Sequence, residues 1–289
     1  MLKKMKMSQK TNFELITELL EYIDSDISKE FTMEELASKL YLSESRFQKV
    51  FSTYMAEPVF KYIKRRKLEI SAKRIAYSNH LDEDITQILF DLGFKSKSSF
   101  SKMFKSYFGI TASDFQKENL KEYESLLIKN ANSMKITAEI VQLNTTEILY
   151  VKEFGDYSNS SRRAWDRIEQ VIEGNDILSD SSEFFGIIHD DETITEKLDC
   201  RYDACISKFT SEVDFPEVLV KELPEGKYAK FVHKGSYESL NKTYDSIWSN
   251  WYINSSHQIA STPIIEKYLN DPDEVKQSEL LTEIYIPIK

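Results

Sequence analysis

Between residues 12 and 128 the chain has one proline, Pro58, and two glycines, Gly93 and Gly109, so little there breaks a helix. Cysteine is nearly absent. Cys200 and Cys205 are the only two. They are too few for a disulfide framework, and a reducing cytoplasm suits them. No run of 18 apolar residues occurs, so no membrane span is expected. The opening stretch, MLKKMKMSQK, is basic but no apolar segment follows it, so it does not read as a signal peptide. Catalytic motifs are missing as well. There is no HExxH, GxSxG, phosphate-binding glycine loop or CxxC. The four histidines (His80, His189, His233, His257) are scattered rather than clustered for a metal. The expectation is a protein without metal, cofactor or enzymatic activity.

What is present is charge, unevenly placed. The chain of 289 residues carries 38 Lys+Arg and 48 Asp+Glu, a formal charge of −10. Residues 1–120 hold 20 basic and 17 acidic residues, net +3, whereas residues 121–289 hold 18 and 31, net −13. A basic front and an acidic back imply two domains with different partners. The front suits a polyanion and the back a cation. The stretch FKSKSSFSKMFKSYFG, residues 94–109, has four lysines and no acid.

The front half is patterned as helices, with apolar residues recurring at three and four. Thr32 with Glu35 and Thr111 with Asp114 have capping-box spacing, and Ser43 and Ser96 are candidate N-caps. This half also repeats itself. SRFQKVFSTYMAEPVFKYI (45–63) lies over SSFSKMFKSYFGITASDFQ (98–116) at an offset of 53, matching Phe47 with Phe100, Lys49 with Lys102, Phe51 with Phe104 and Tyr54 with Tyr107. Just upstream the offset is 52, with Leu42 over Phe94. Each copy is a short helix, a tight turn and a second helix opening on a serine. The phenylalanines at i and i+4 define a buried stripe. This is a helix-turn-helix layout, present twice.

After residue 134 the texture changes. MKITAEIVQL, TEILYVKEF, KLDCRYDACISKF, GKYAKFVHKG and LLTEIYIPIK read as strands, with helical segments between them. A second repeat appears. FGDYSNSSRRAWDRIEQVI (154–172) matches KGSYESLNKTYDSIWSNWY (234–252), with Asp166 over Asp245 after one gap, and YDACISK (202–208) lies over TEIYIPI (282–288). Strand–helix–strand–strand, twice, implies an α+β domain with antiparallel sheet. The expected fold class is therefore multidomain. An all-α double helix-turn-helix domain (12–120) leads through a linker (121–134), loosening at Asn130–Ser133, into an α+β domain of two βαββ modules (135–289).

Residues 31–117 resemble the DNA-binding domain of the AraC/XylS family of bacterial transcription regulators, on the strength of ELASKLYLSESRFQKVF and DLGFKSKSSFSKMFKSYFGIT. Leu89, Ala56 and Ala112 depart from that family's usual Ala, Gly and Pro. Residues 135–289 resemble the GyrI-like effector-binding domain through KLDCRYDACISKF, LPEGKYAKFVHKGSYESL, TPIIEKYLND and TEIYIPI. Together the resemblances imply a sequence-specific regulator with a sensor for a small hydrophobic or cationic effector, of the multidrug-sensing kind.

The residue chemistry is compatible with that. Lysines that neutralise phosphates release counterions, and short or forked polar side chains reach base edges. The candidate DNA contacts are Ser45, Arg46, Gln48 and Lys49 in the first reading helix and Lys97, Ser98, Ser101 and Lys102 in the second, with Lys105 on phosphate. Phe47, Val50 and Phe51, and Phe100, Met103 and Phe104, are expected to face inward. Two reading helices in one chain imply an asymmetric site on double-stranded DNA spanning two adjacent major grooves. In the sensor, Glu266 matches the family's pocket glutamate. Candidate rings for cation–π contact are Tyr150, Trp165, Phe185, Tyr237, Trp248 and Tyr268, with His189 at the first-module position aligned with Glu266. Two other readings of the back half stay open. It could be a small-molecule hydrolase, or a module that binds a protein such as RNA polymerase.

Overall fold

The computed structural model describes residues 10–77, 84–130, 136–174, 176–209, 215 and 218–289. The chain divides into two compact units. The first is helical: α1 (Asn12–Ser25), α2 (Met33–Lys39), α3 (Glu44–Met55), α4 (Val59–Ala76), α5 (Ile85–Asp91), α6 (Lys97–Phe108) and the start of α7 (Ala112–Asn130). Helix α7 continues through the first part of the stretch expected to be a linker, and residues 131–134 lie outside the described residues.

Local chemistry starts each helix. The Ser43 and Ser96 hydroxyls accept from the Arg46 and Ser99 amides that open α3 and α6. Thr32 accepts from the Glu35 amide, but the Glu35 carboxylate takes the Tyr22 hydroxyl and Lys29 instead of closing a capping box. Thr111 and Asp114 bond by side chain, Oγ1 to Oδ2 at 2.7 Å. A full box caps α1, where Thr11 and Glu14 exchange bonds of 2.6 and 3.2 Å. Pro58 stands just ahead of α4, and its carbonyl accepts from the Lys61 and Tyr62 amides.

The two helix-turn-helix copies, α2–α3 and α5–α6, share their hydrogen bonds as well as their sequence. Leu42 donates its amide to the Ala37 carbonyl and Phe94 to the Leu89 carbonyl, both at 3.0 Å. Tyr41 and Gly93, one residue earlier in each turn, have φ of 53° and 74°. This is a Schellman stop, twice. Phe47, Phe51, Phe100 and Phe104 are fully buried. Val50 and Met103 are half-buried. They sit at the border of the apolar stripe rather than in its centre.

The second unit is a mixed α+β domain on one eight-stranded antiparallel sheet. Its strands are β1 (Glu139–Leu143), β2 (Glu147–Phe154), β3 (Glu183–Ile188), β4 (Arg201–Ser207), β5 (Leu219–Glu222), β6 (Gly226–Lys234), β7 (Ile264–Tyr268) and β8 (Leu281–Ile288), in the order β1-β6-β8-β7-β3-β4-β2-β5. Helix α8 (Tyr157–Gly174) lies between β2 and β3; α9 (Leu240–Ser246), prolonged by a π-helical stretch Ile247–Tyr252, lies between β6 and β7. Strands β3, β5 and β7 were not among the five segments legible in sequence.

The strands and turns of the two βαββ modules superpose in sequence at an offset of 80, and within the helices Asp166 over Asp245 shifts it to 79. Gly155 donates to the Cys200 carbonyl at 2.9 Å as Gly235 does to Leu280 at 3.0 Å, and the Asp191 and Asp271 carbonyls cap the matching turns. The modules meet where β3 pairs β7, with Gly186 directly opposite Glu266. Gly186 and Glu266 are themselves twins at the offset of 80. The first-module counterpart of Glu266 is therefore Gly186 and not His189. Among the described residues, no helix is long and apolar enough to cross a membrane.

Candidate functional site

In the helical unit, all nine expected DNA contacts are solvent-exposed. Ser45, Arg46, Gln48 and Lys49 line the outer face of α3, and Lys97, Ser98, Ser101, Lys102 and Lys105 that of α6. The buried phenylalanines on the opposite face fix which side each helix presents. Helix α6 carries three lysines and no acid. Its N-terminal amides add positive potential at the end where Lys97 and Ser98 stand.

In the sheet unit the arrangement centres on Glu266. Its side chain is buried, 5% exposed, on β7. The Tyr244 hydroxyl donates to Oε1 at 2.8 Å and the Tyr268 hydroxyl to Oε2 at 2.6 Å. The Tyr268 and Tyr202 hydroxyls bond at 2.9 Å, and the Trp165 indole N–H donates to Tyr202 at 3.0 Å. The rings of Trp165 and Tyr237 each stand edge-on to Tyr268, with centroids 5.4 Å away. Burial pushes the Glu266 carboxyl above its ordinary range, opposed by the two tyrosine hydroxyls. Burial and then the Glu266 charge push the Tyr244 and Tyr268 hydroxyls well above theirs, so both stay protonated donors. The result is one carboxylate held by phenols among aromatic rings.

Of the rings expected from sequence, Trp165, Tyr237 and Tyr268 come together with Glu266. Three do not. Tyr150 and Phe185 lie on the other face of the sheet, in a core with Tyr228 and Tyr285. Strand parity decides this, because Phe184 pairs Tyr268 and shares its face, whereas Phe185 pairs Lys267 and Cys205. Phe184 is the residue that meets Trp165, with centroids 6.3 Å apart. Trp248 packs edge-on against Tyr252 at 5.8 Å, beside the cluster of Phe231, Ile247 and Ile253.

Sequence reasoning missed Tyr202, Tyr244 and Gly186. Tyr244 was recoverable, since aligning Asp166 with Asp245 sets it over Trp165, and it lies three residues before the buried Ile247. Gly186 is needed for space rather than for backbone freedom. A Cβ there would stand 2.4 Å from the Tyr202 hydroxyl and 2.8 Å from that of Tyr268.

His189 belongs to a separate buried cluster on the opposite sheet face. Asp203 is bonded by Lys152 at 2.6 Å, Lys221 at 2.5 Å and His189 at 2.7 Å. Burial pushes the His189 imidazole down to about 4, so it is neutral near pH 7. Burial opposes the charge on Asp203, but its cationic neighbours hold the carboxyl well below the usual range.

Comparison with known proteins gives two family matches. A "Helix-turn-helix domain" model fits residues 36–118, and a "GyrI-like small molecule binding domain" model fits residues 137–289. YosT from the SPbeta prophage of Bacillus subtilis (strain 168) is 29% identical over 54% of this chain and 100% of its own length. Regulatory protein SoxS of Salmonella typhimurium is 29% identical over 36% of this chain and 94% of its own. Among solved structures, the EcmrR C-terminal domain is 18% identical with a TM-score of 0.45, covering 54% of this chain and 99% of that one. A hydrolase encoded by lin2189 from Listeria innocua is 13% identical with a TM-score of 0.40, covering 56% and 96%.

Proposed function

The chain belongs to the GyrI-like small molecule binding domain family and carries an AraC-type helix-turn-helix domain ahead of it, and from that premise we propose how this DNA-binding transcriptional regulator reads DNA and what it senses. Helices α3 and α6 enter two successive major grooves of an asymmetric operator. Ser45, Arg46, Gln48, Lys49, Lys97, Ser98, Ser101 and Lys102 meet base edges and neighbouring phosphates, and Lys105 meets phosphate. The sheet unit takes a hydrophobic cation against Glu266. The protein acts in the cytoplasm, binds its effector without turning it over, and neither unit requires a metal.

The observation that carries the sensor reading is the buried Glu266 carboxylate, satisfied by the Tyr244 and Tyr268 hydroxyls, with the rings of Trp165 and Tyr237 packed edge-on to Tyr268. A desolvated carboxylate attracts a cation far more strongly than one in water. Each ring adds about 0.5–2 kcal/mol of cation–π attraction. A neutral molecule of the same shape would gain only the apolar contact.

The test is binding of a fluorescent quaternary-ammonium dye, and of a neutral dye of similar size, to wild type and Glu266→Gln. The cation should lose affinity in the variant by about tenfold or more while the neutral dye is unaffected. Equal affinities for the cation would remove the reading. The sign with pH follows from the raised carboxyl. Cation binding is strong above the carboxyl's folded-state pKa and is lost as pH falls through it, because the protonated acid has no charge to offer. Mass spectrometry of the recovered effector candidates separates sensing from hydrolysis, since a sensor returns its ligand unchanged.

A further inference from the structure

The helical unit contains a buried ionic chain that the DNA-reading residues do not use. Glu57 is the second residue after α3 ends, and Tyr107 is the penultimate residue of α6. Between them runs α4, with Arg65 and Glu69 one turn apart. Arg65 donates Nε and Nη2 to Glu57 Oε1 at 2.8 and 2.7 Å, and Nη1 to Glu69 Oε1 at 3.0 Å. The Tyr107 hydroxyl donates to the same Glu69 oxygen at 2.9 Å. Arg66 Nη1 bonds the other oxygen, Oε2, at 2.8 Å. Glu57, Arg65, Arg66 and Glu69 are 8%, 6%, 6% and 2% exposed.

The desolvation cost of burying charges can exceed what their pairing returns, and apolar residues of like volume often serve stability as well or better. The internal repeat makes that comparison within this chain. At the offset of 53, Glu57 corresponds to Ile110 and Tyr107 to Tyr54. Tyr54 is 46% exposed and meets Phe13 at a centroid distance of 6.4 Å. Each copy thus supplies one member of the chain, Glu57 from the first and Tyr107 from the second, and neither member has a counterpart in the chain from the other copy. Among the described residues the chain of charges exists once, and it joins the C-terminal ends of both reading helices through α4. Its directional bonds set distance and angle, which apolar contacts tolerate loosely.

We propose that Glu57–Arg65–Glu69–Tyr107 is a strut that fixes the spacing of α3 and α6, and so the separation of the two half-sites the protein accepts, with Tyr107 as a positioning residue for the second half-site. This rests on the reading that both helices enter DNA. Inserting one base pair between half-sites turns one relative to the other by about 34° and moves it ~3.4 Å. A rigid pair of helices loses affinity on such DNA, and a loosened pair adapts.

The experiment takes an operator recovered from random DNA with the full-length protein. It measures the affinity ratio between that operator and versions with one base pair inserted or deleted between half-sites. Tyr107→Phe removes one oxygen and keeps the ring. It should shrink the ratio by about tenfold, the scale of one hydrogen bond to a buried charge, and leave affinity for a DNA holding only the α3 half-site unchanged. Glu57→Gln, at the other end of the chain, should shrink the same ratio. A role in stability alone would lower the melting temperature and leave the ratio intact, and an unchanged ratio in both variants overturns the proposal. Should wild type bind the single half-site as tightly as the whole operator, the two-helix reading itself has failed.

Discussion

The two helix-turn-helix copies bury the same phenylalanine pairs, yet they end their helices differently. The second copy places glycine at both left-handed positions, Gly93 in the turn and Gly109 after the reading helix, with φ of 74° and 80°. The first places Tyr41 and Ala56 at the matching positions, with φ of 53° and 54°. The backbone path is common to both. The difference shows that a left-handed φ alone does not require glycine; the neighbours decide. A Cβ on Gly93 would lie 2.1 Å from the Ser28 carbonyl oxygen, whereas the Tyr41 side chain is 58% exposed.

Gly93→Ala therefore combines a backbone clash with left-handed strain. It should destabilise the helical unit by about 3 kcal/mol or more, read as an earlier loss of helical circular dichroism in denaturant. Tyr41→Gly, at the matching position, should be close to neutral, gaining a few tenths of a kcal/mol at most. Relief of the left-handed strain is offset there by the flexibility that glycine adds to the unfolded chain. Equal responses at the two positions would break the comparison.

The sheet modules show the same rule at a glycine whose φ is not left-handed. Gly186 and Glu266 are twins facing each other across β3 and β7, and the glycine leaves room for the Tyr202 and Tyr268 hydroxyls that orient the carboxylate. Gly186→Ala should cost about 1–3 kcal/mol through overpacking. It should also weaken binding of a cationic dye more than that of a neutral dye, because the displaced Tyr268 hydroxyl releases Glu266 Oε2. Loss of stability with both dyes bound as before would show that the hydroxyl chain does not orient the acid.

These contrasts also explain what was legible in the sequence. The helical unit was readable because serine caps and phenylalanines at i and i+4 are local signals, and Ser43, Ser96, Phe47 and Phe100 act where their spacing puts them. Glu57, Arg65 and Glu69 gave no such signal, since nothing in spacing says that a charge is buried. In the sheet, Glu266 was found through resemblance. Its surroundings depended on strand parity, which shifts every side chain to the other face when misjudged by one residue. Phe184 and Phe185 are adjacent and look alike, and only the pairing of β3 with β7 separates them. The aligned position of Glu266 fell on His189 for a related reason. Short strands such as β3 carry too few residues to fix their own alignment; the flanking turns at Asp191 and Asp271 do so in the structure.

The smallest effects come from Gly109 and Ala56, which share a left-handed φ at the C-terminal ends of α6 and α3. A Cβ on Gly109 meets no atom within 4 Å, so Gly109→Ala should cost only the left-handed strain, about 1 kcal/mol after the entropy that alanine removes from the unfolded chain. Ala56 already bears that strain at the exposed end of α3. Ala56→Gly should then stabilise by a similar amount, up to ~1 kcal/mol. The two substitutions are near mirror images, and the double variant should unfold close to wild type, since the sites are separate and their effects add. A gain at Ala56 much smaller than the loss at Gly109 would mean that the first turn holds its alanine by contacts the second turn lacks.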